Sequence, residues 1–132
     1  MTQEILDFLD KHPLFLATKG TCGNPRVRPV QSALWLNNKL YFCTSTKKNL
    51  YKHFNNHAGV EFSGFDGIST WIRIRGEAKV SDELSVKKAM LEKYPLAKEI
   101  YKDAENPDFA IFYLENVSIK IQDFNGRDEV IR

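Results

Sequence analysis

Cys43-Thr44-Ser45-Thr46-Lys47-Lys48 lies between an apolar run, Leu40-Tyr41-Phe42, and a segment from Lys48 to Phe54 that places Leu50, Tyr51 and Phe54 three and four residues apart. The first reads as a strand end and the second as a helix, so the six residues are a strand-to-helix turn. Ser45 or Thr46 is the expected N-cap, its hydroxyl accepting from a backbone N–H of the first turn. Lys47 and Lys48 stand against the partial positive charge of a helix start. Two readings are open: solvated lysines beside an ordinary cap, or a cradle in which N–H groups, hydroxyls and ammonium groups share an anion.

Upstream, Gln3 to Lys11 predicts a short amphipathic helix burying Ile5, Leu6, Phe8 and Leu9, ended by His12-Pro13. Leu14 to Thr18 predicts a first strand, apolar on both faces and central. Gly20-Thr21-Cys22-Gly23-Asn24-Pro25 is turn chemistry, so a second strand, Arg26 to Leu36, should return as a hairpin. Alternation puts Arg26 and Arg28 on one face of it. Pro29 interrupts it, because proline donates nothing to a ladder, and two readings are open: two surface arginines on a kinked edge strand, or an interrupted edge whose free backbone groups serve a planar heterocycle. Asn37-Asn38-Lys39 turns tightly into a third strand, Leu40 to Thr44, and that hairpin should bring Arg26 and Arg28 to the Thr44–Lys48 cradle.

Downstream, Val60 to Phe65 and Thr70 to Val80 alternate as a fourth and fifth strand around Asp66-Gly67. The fifth puts Trp71, Arg73 and Arg75 on one face and Ile72 and Ile74 on the other. Ser81-Asp82-Glu83 predicts a capped, acid-led helix start, with Val86, Met90 and Tyr94 on its buried side. Leu96 to Lys102 predicts a short helix, Phe109 to Phe124 one long sixth strand, and Gly126 to Arg132 a polar tail. Strand meanders with few helices predict a mainly β (α+β) domain over residues 1–132, a small antiparallel β-barrel.

Bulk properties exclude several classes. A chain of 132 residues, 42% hydrophobic and 27% charged, is one ordinary globular domain. A net charge of +2 is too small for a nucleic-acid surface, and no apolar run approaches a membrane span. The acidic, amphipathic start is unlike a signal peptide, and two isolated cysteines, Cys22 and Cys43, fit a reducing cytoplasm. His12, His53 and His57 are scattered without a carboxylate cluster, so no metal site is expected. Neither a nucleotide-binding glycine fingerprint nor a hydrolase motif occurs, and no catalytic acid, base or nucleophile can be named.

Three stretches in order, Pro25-Arg-Val-Arg-Pro-Val-Gln31, Leu40-Tyr-Phe-Cys-Thr-Ser-Thr-Lys-Lys48 and Trp71-Ile-Arg-Ile-Arg-Gly-Glu-Ala78, resemble the pyridoxamine 5′-phosphate oxidase-like family of FMN-binding split barrels. Within it the chain most resembles the small nitroimidazole-reductase-like (Nim) branch. The resemblance implies a six-stranded split barrel with peripheral helices, and a homodimer with FMN at the subunit interface. It places Arg26 and Arg28 near the phosphate and flavin edge, and the backbone of Arg28-Pro29-Val30 with Gln31 along the ring. It places Cys43, Thr44 and Ser45 at the ribityl and ring, Lys47 and Lys48 at the phosphate, and Trp71 and Arg73 as arriving from the partner. Vitamin-B6 oxidases of the family carry a longer, arginine- and histidine-bearing C-terminal segment. This chain closes on Asn125-Gly-Arg-Asp-Glu-Val-Ile-Arg132 instead, so pyridoxamine phosphate is not the expected substrate. The implied activity passes electrons from a reduced nicotinamide to a small acceptor, nitroaromatic or quinone-like. Alternatives are a non-enzymatic flavin-binding or redox-stress module, or a split barrel binding haem or a deazaflavin. Haem normally needs an axial ligand such as histidine, and neither His53 nor His57 is evidently placed for it.

Overall fold

A computed structural model describes residues 1–131. In chain order the elements are α1 (Gln3–Lys11), β1 (Leu14–Lys19), β2 (Pro25–Pro29), β3 (Leu34–Leu36), β4 (Lys39–Ser45), α2 (Asn49–Asn56), β5 (Gly59–Phe65), β6 (Thr70–Ser81), α3 (Leu84–Lys93), α4 (Pro95–Tyr101), β7 (Phe109–Asp123) and β8 (Asp128–Ile131).

Every strand pair is antiparallel, in the order β2-β1-β5-β6-β7-β4-β3, with β8 added to β7. The end strands of this path, β2 and β3, are consecutive in the chain. Five residue steps from Pro29 to Leu34 span at most about 18 Å, so the two edges must come together. The sheet therefore curls into a barrel, left split where β2 and β3 face each other unpaired.

Alternation explains two cores. Leu40 and Phe42 of β4, and Phe112, Leu114, Ile119 and Ile121 of β7, point into the barrel with Leu16, Phe62, Ile72 and Ile74. Phe42 stacks on Phe62 at 4.2 Å between ring centroids. Tyr41 and Cys43, with Phe109 and Ile111, point outward and are covered by Val86, Met90, Ala97 and Tyr101 of α3 and α4. Buried on both faces, β4 reads as a continuous apolar run.

The six expected strands become eight. Pro29 ends β2, Val30 makes one last bond from its N–H to Leu14 O at 2.9 Å, Gln31–Ala33 leaves the ladder, and what read as one strand is two. The expected polar tail forms β8, pairing Asp128–Ile131 with Ile119–Gln122. The hairpin through Asn37 and Asn38, at φ 54° and 58° as a tight primed turn requires, joins only β3 and β4. Arg26 and Arg28 pair instead with Thr18 and Leu16 of β1, and barrel closure brings them toward β4. β1 is internal to the sheet, but Phe15 on its outer face is 46% exposed, so it is not apolar-buried on both sides. Neither predicted hydroxyl caps α2: its N-cap is Lys48, without a side-chain bond. α3 likewise starts from Glu83 with no side-chain cap and no acid in its first turn. The Ser81 hydroxyl serves the turn before it, accepting from Glu83 N at 3.2 Å.

Candidate functional site

The split holds a cleft of about 360 Å³, lined on one side by Arg26 to Ser32 and on the other by Cys43, Thr44, Lys48, Asn49, Leu50 and His53. That volume lies within the usual range for small-ligand sites, about 300–1,000 Å³. Cys43 and Thr44 are neighbours on a strand and point to opposite faces, yet both line the cleft. It therefore approaches β4 along its edge, beyond Tyr41, where pairing with β3 has ended. Ser32 takes both backbone groups of Cys43 on that edge, its hydroxyl accepting from Cys43 N at 2.9 Å and donating to Cys43 O at 3.5 Å.

Among the described residues, those lining the cleft include three cations, Arg26, Arg28 and Lys48, and no carboxylate. The start of α2 faces the same space. With Lys48 as N-cap and no side chain accepting from the first turn, its N–H groups add their partial positive charge. Ser45, an expected cap, accepts instead from Lys47 N at 3.2 Å. Thr44 is 4% exposed, and its hydroxyl is buried without a hydrogen-bond partner. An orphaned polar group of this kind costs about 1–3 kcal/mol. The Cys43 thiol is pushed above its ordinary value, by burial first and against the bond from Ser32, so it rests here as a neutral thiol.

Sequence reasoning missed what lies at the cleft floor. Arg28 is turned inward, with Nη1 donating to Thr18 Oγ1 at 2.6 Å, Leu16 O at 3.2 Å and Arg26 O at 3.4 Å. Its Nη2 donates to His53 Nδ1 at 3.2 Å, and Thr18 Oγ1 lies 2.8 Å from the same nitrogen. Guanidinium only donates, so the Nη2 contact is a hydrogen bond only in the tautomer with the lone pair on Nδ1 and the ring proton on Nε2. In that tautomer the Thr18 hydroxyl accepts from Arg28 and donates to Nδ1, whose single lone pair is shared between Thr18 and Arg28. His53 is 5% exposed, and its pKa is held below the ordinary histidine value by burial first, then by Arg28 and Arg26. Arg28 is lowered too, by burial and then by Arg26. The available signal was slight: His53 stands three residues after Leu50 and one before Phe54, on the apolar side of α2.

Of the twelve residues singled out from sequence, Arg26, Arg28, Pro29, Val30, Gln31, Cys43, Thr44 and Lys48 meet in this cleft. Ser45, the last residue of β4, follows Thr44 without lining the cleft. Lys47 lies outside, 77% exposed, its ammonium 3.2 Å from Asp108. Trp71 and Arg73 stand elsewhere, on the outer face of β6, where Gln122 Oε1 accepts from Trp71 Nε1 at 3.0 Å and from Arg73 Nη2 at 2.7 Å.

The family model described as Pyridoxamine 5'-phosphate oxidase matches residues 1–123. A NimC/NimA family protein from Clostridium acetobutylicum superposes with a TM-score of 0.89 at 31% identity, over 98% of this chain and 90% of that one. The chain belongs to the pyridoxamine 5′-phosphate oxidase family, among its NimC/NimA members. Two further structures share this family member's fold. One is a pyridoxamine 5'-phosphate oxidase-related, FMN binding protein from Nostoc punctiforme, at TM-score 0.72 and 17% identity over 98% of this chain and 91% of that one. The other is a heme binding protein from Mycobacterium smegmatis, at 0.73 and 20% over 92% and 53%. No curated protein matches the sequence. The split-barrel class expected from the three sequence stretches is thus the fold found. No helix of this oxidase-family chain is long and apolar enough to cross a membrane, and among the described residues no His, Cys, Asp and Glu side chains group as metal ligands.

Proposed function

We propose that this protein binds FMN in the cleft at the barrel split and passes electrons from a reduced nicotinamide to a small acceptor, nitroaromatic or quinone-like. One observation carries the reading: three cations and an uncapped helix start converge, without a carboxylate, on an open strand edge. The phosphate belongs against Lys48, Arg26 and the first N–H groups of α2. The ring belongs along Arg28-Pro29-Val30 and Gln31, and the ribityl chain beside Cys43, Thr44 and Ser45, where the Thr44 hydroxyl gains its missing partner. Lys47 joins the phosphate only by leaving Asp108, and a surface ion pair of that kind is worth about 0–1 kcal/mol. When bound, the flavin supplies the redox chemistry while the protein supplies position and field. Arg28, beside the ring, places positive charge that favours an electron-rich flavin. Arg28→Ala should therefore lower the flavin potential and weaken binding.

We also infer a homodimer. Phe65, Trp71 and Gln122 share one register row of the outer face, and Phe15, Ser63, Arg73 and Lys120 the next. Phe15 and Phe65 are 46% and 45% exposed there. A second copy on this face would cover them and carry Trp71 and Arg73 to its neighbour's cleft.

The deciding measurement is an absorbance spectrum of the purified protein, repeated on the supernatant after heat denaturation. A two-band yellow spectrum released on unfolding supports FMN, and oxidation of reduced nicotinamide with an added nitroaromatic then separates enzyme from flavin-binding module. A Soret band would replace FMN with haem. His53, 5% exposed and held by Thr18 and Arg28, is not presented to the cleft as an axial ligand. A colourless protein that takes up no added FMN would overturn the reading.

A further inference from the structure

His53 and Arg28 come from opposite sides of the split. Arg28 is on β2, which pairs with β1; His53 is on α2, which follows β4. The Nη2–Nδ1 bond at 3.2 Å and the bridging Thr18 hydroxyl are side-chain hydrogen bonds that cross from the β1/β2 edge to α2. Four acceptors, Leu16 O, Thr18 Oγ1, Arg26 O and His53 Nδ1, engage the guanidinium, which is far more than holding it out toward a ligand would need. Such a set fixes where α2 begins relative to β2, and that gap is the width of the cleft at its cationic end.

We propose that His53 is a positioning residue of this site: its unprotonated Nδ1, with Thr18, clasps Arg28 across the split and sets the distance between β2 and the start of α2. The inference rests on the anion site proposed above. The clasp works only with the neutral ring, because a proton on Nδ1 would meet Nη2 donor to donor and set two cations against each other. The groups around the imidazole do nothing to favour its charge. Arg28 and Arg26 face it from β2 and Thr18 from β1. Cys22 and Thr21 of the β1–β2 turn, with Asn49 and Lys52 of its own helix, line the hollow beside it. None of these is a carboxylate. Protonation therefore opens the clasp, lets α2 draw away from β2, and weakens the ligand held between them.

The test combines a ring readout with a binding readout. Nitrogen NMR of the histidine rings should find His53 with the proton on Nε2 and titrating below the ordinary value of about 6.5. A proton on Nδ1, or titration at or above that value, overturns the proposal whether or not a flavin binds. FMN titrations should show His53→Leu about tenfold weaker than the native chain at neutral pH, the effect of one hydrogen bond to a charged group. His53→Gln, whose side-chain oxygen accepts from Arg28, should recover most of that loss. As pH falls through that lowered value, the native protein should lose up to about tenfold more affinity than His53→Gln. The comparison at each pH matters because a phosphate monoester itself titrates near pH 6. Equal pH slopes in the two proteins, or tighter native binding in acid, would overturn the clasp. If neither protein binds FMN at any pH, the function proposed above fails and the ring measurement alone decides the inference.

Discussion

The starts of α1 and α2 answer the same physical problem in opposite ways. Thr2 caps α1, its hydroxyl accepting from Ile5 N at 3.3 Å, and Glu4 puts a carboxylate in the first turn. The sequence thus supplies both an acceptor and an anion to that helix end. At α2 it supplies neither, and Lys48 occupies the N-cap. α3 lacks a side-chain cap as well, but its N-cap is Glu83, so its start carries a carboxylate. Lack of a cap is therefore not the distinguishing mark. What sets α2 apart is uncompensated positive charge facing a cleft, the arrangement that leaves a helix end for an anion from outside the chain.

Making α2 resemble α1 should have the largest effect. Lys48→Glu gives the helix start a favourable charge, so stability should hold or rise by about 0.3–1 kcal/mol. FMN affinity should nevertheless fall by about 100-fold, since a charge-assisted contact worth about 1.5–3 kcal/mol is lost and replaced by repulsion. Unchanged affinity in a titration would dissolve the contrast between the two helices.

Thr44→Val tests the orphaned hydroxyl beside the same helix. Thermal unfolding of the ligand-free protein should be unchanged or slightly raised, because no hydrogen bond is removed. Binding should weaken by about tenfold. A ligand-free protein markedly destabilised by this change would mean that the hydroxyl already has a partner.

Removing the α1 cap reverses the experiment. Thr2→Ala should cost about 1 kcal/mol of stability, a fall of roughly 3–5 °C in Tm, with flavin affinity untouched. An equal loss of affinity would show that the two helix ends are coupled.

The smallest effect belongs to Glu4. Its carboxyl is held below the usual range chiefly by the bond from Arg127, whose Nη1 and Nη2 donate to it at 2.9 and 2.8 Å. A folded value below the unfolded one gives stability that is present above about pH 4.3 and lost as pH falls through the folded value. Glu4 is 58% exposed, so Arg127→Met should cost about 0.5 kcal/mol or less near neutrality, and less still in acid. Denaturant midpoints at neutral and acid pH would check both the size and the direction.

Local rules determined much of this protein from the sequence alone. Period-two alternation marks β5 and β6 and sets Trp71, Arg73 and Arg75 apart from Ile72 and Ile74, because side chains of a strand alternate whatever it packs against. Asn37-Asn38 marks the β3–β4 turn, since these residues tolerate the left-handed backbone it needs. Lys47-Lys48 before an apolar helical stretch marks an anomalous helix start, because the dipole is a property of the helix itself. Tertiary structure decided the rest. β8 forms from Asp128-Glu-Val-Ile131 because β7 offers a free edge, a partner that short charged sequence cannot announce. Only closure of the barrel sets Arg28 of β2 against His53 of α2, 25 residues on. A histidine on the apolar side of a short helix reads as core until the opposite edge arrives with a guanidinium. The physical reason is range: propensity, alternation and capping act over a few residues, whereas the split and its clasp depend on which edges meet when the sheet curls.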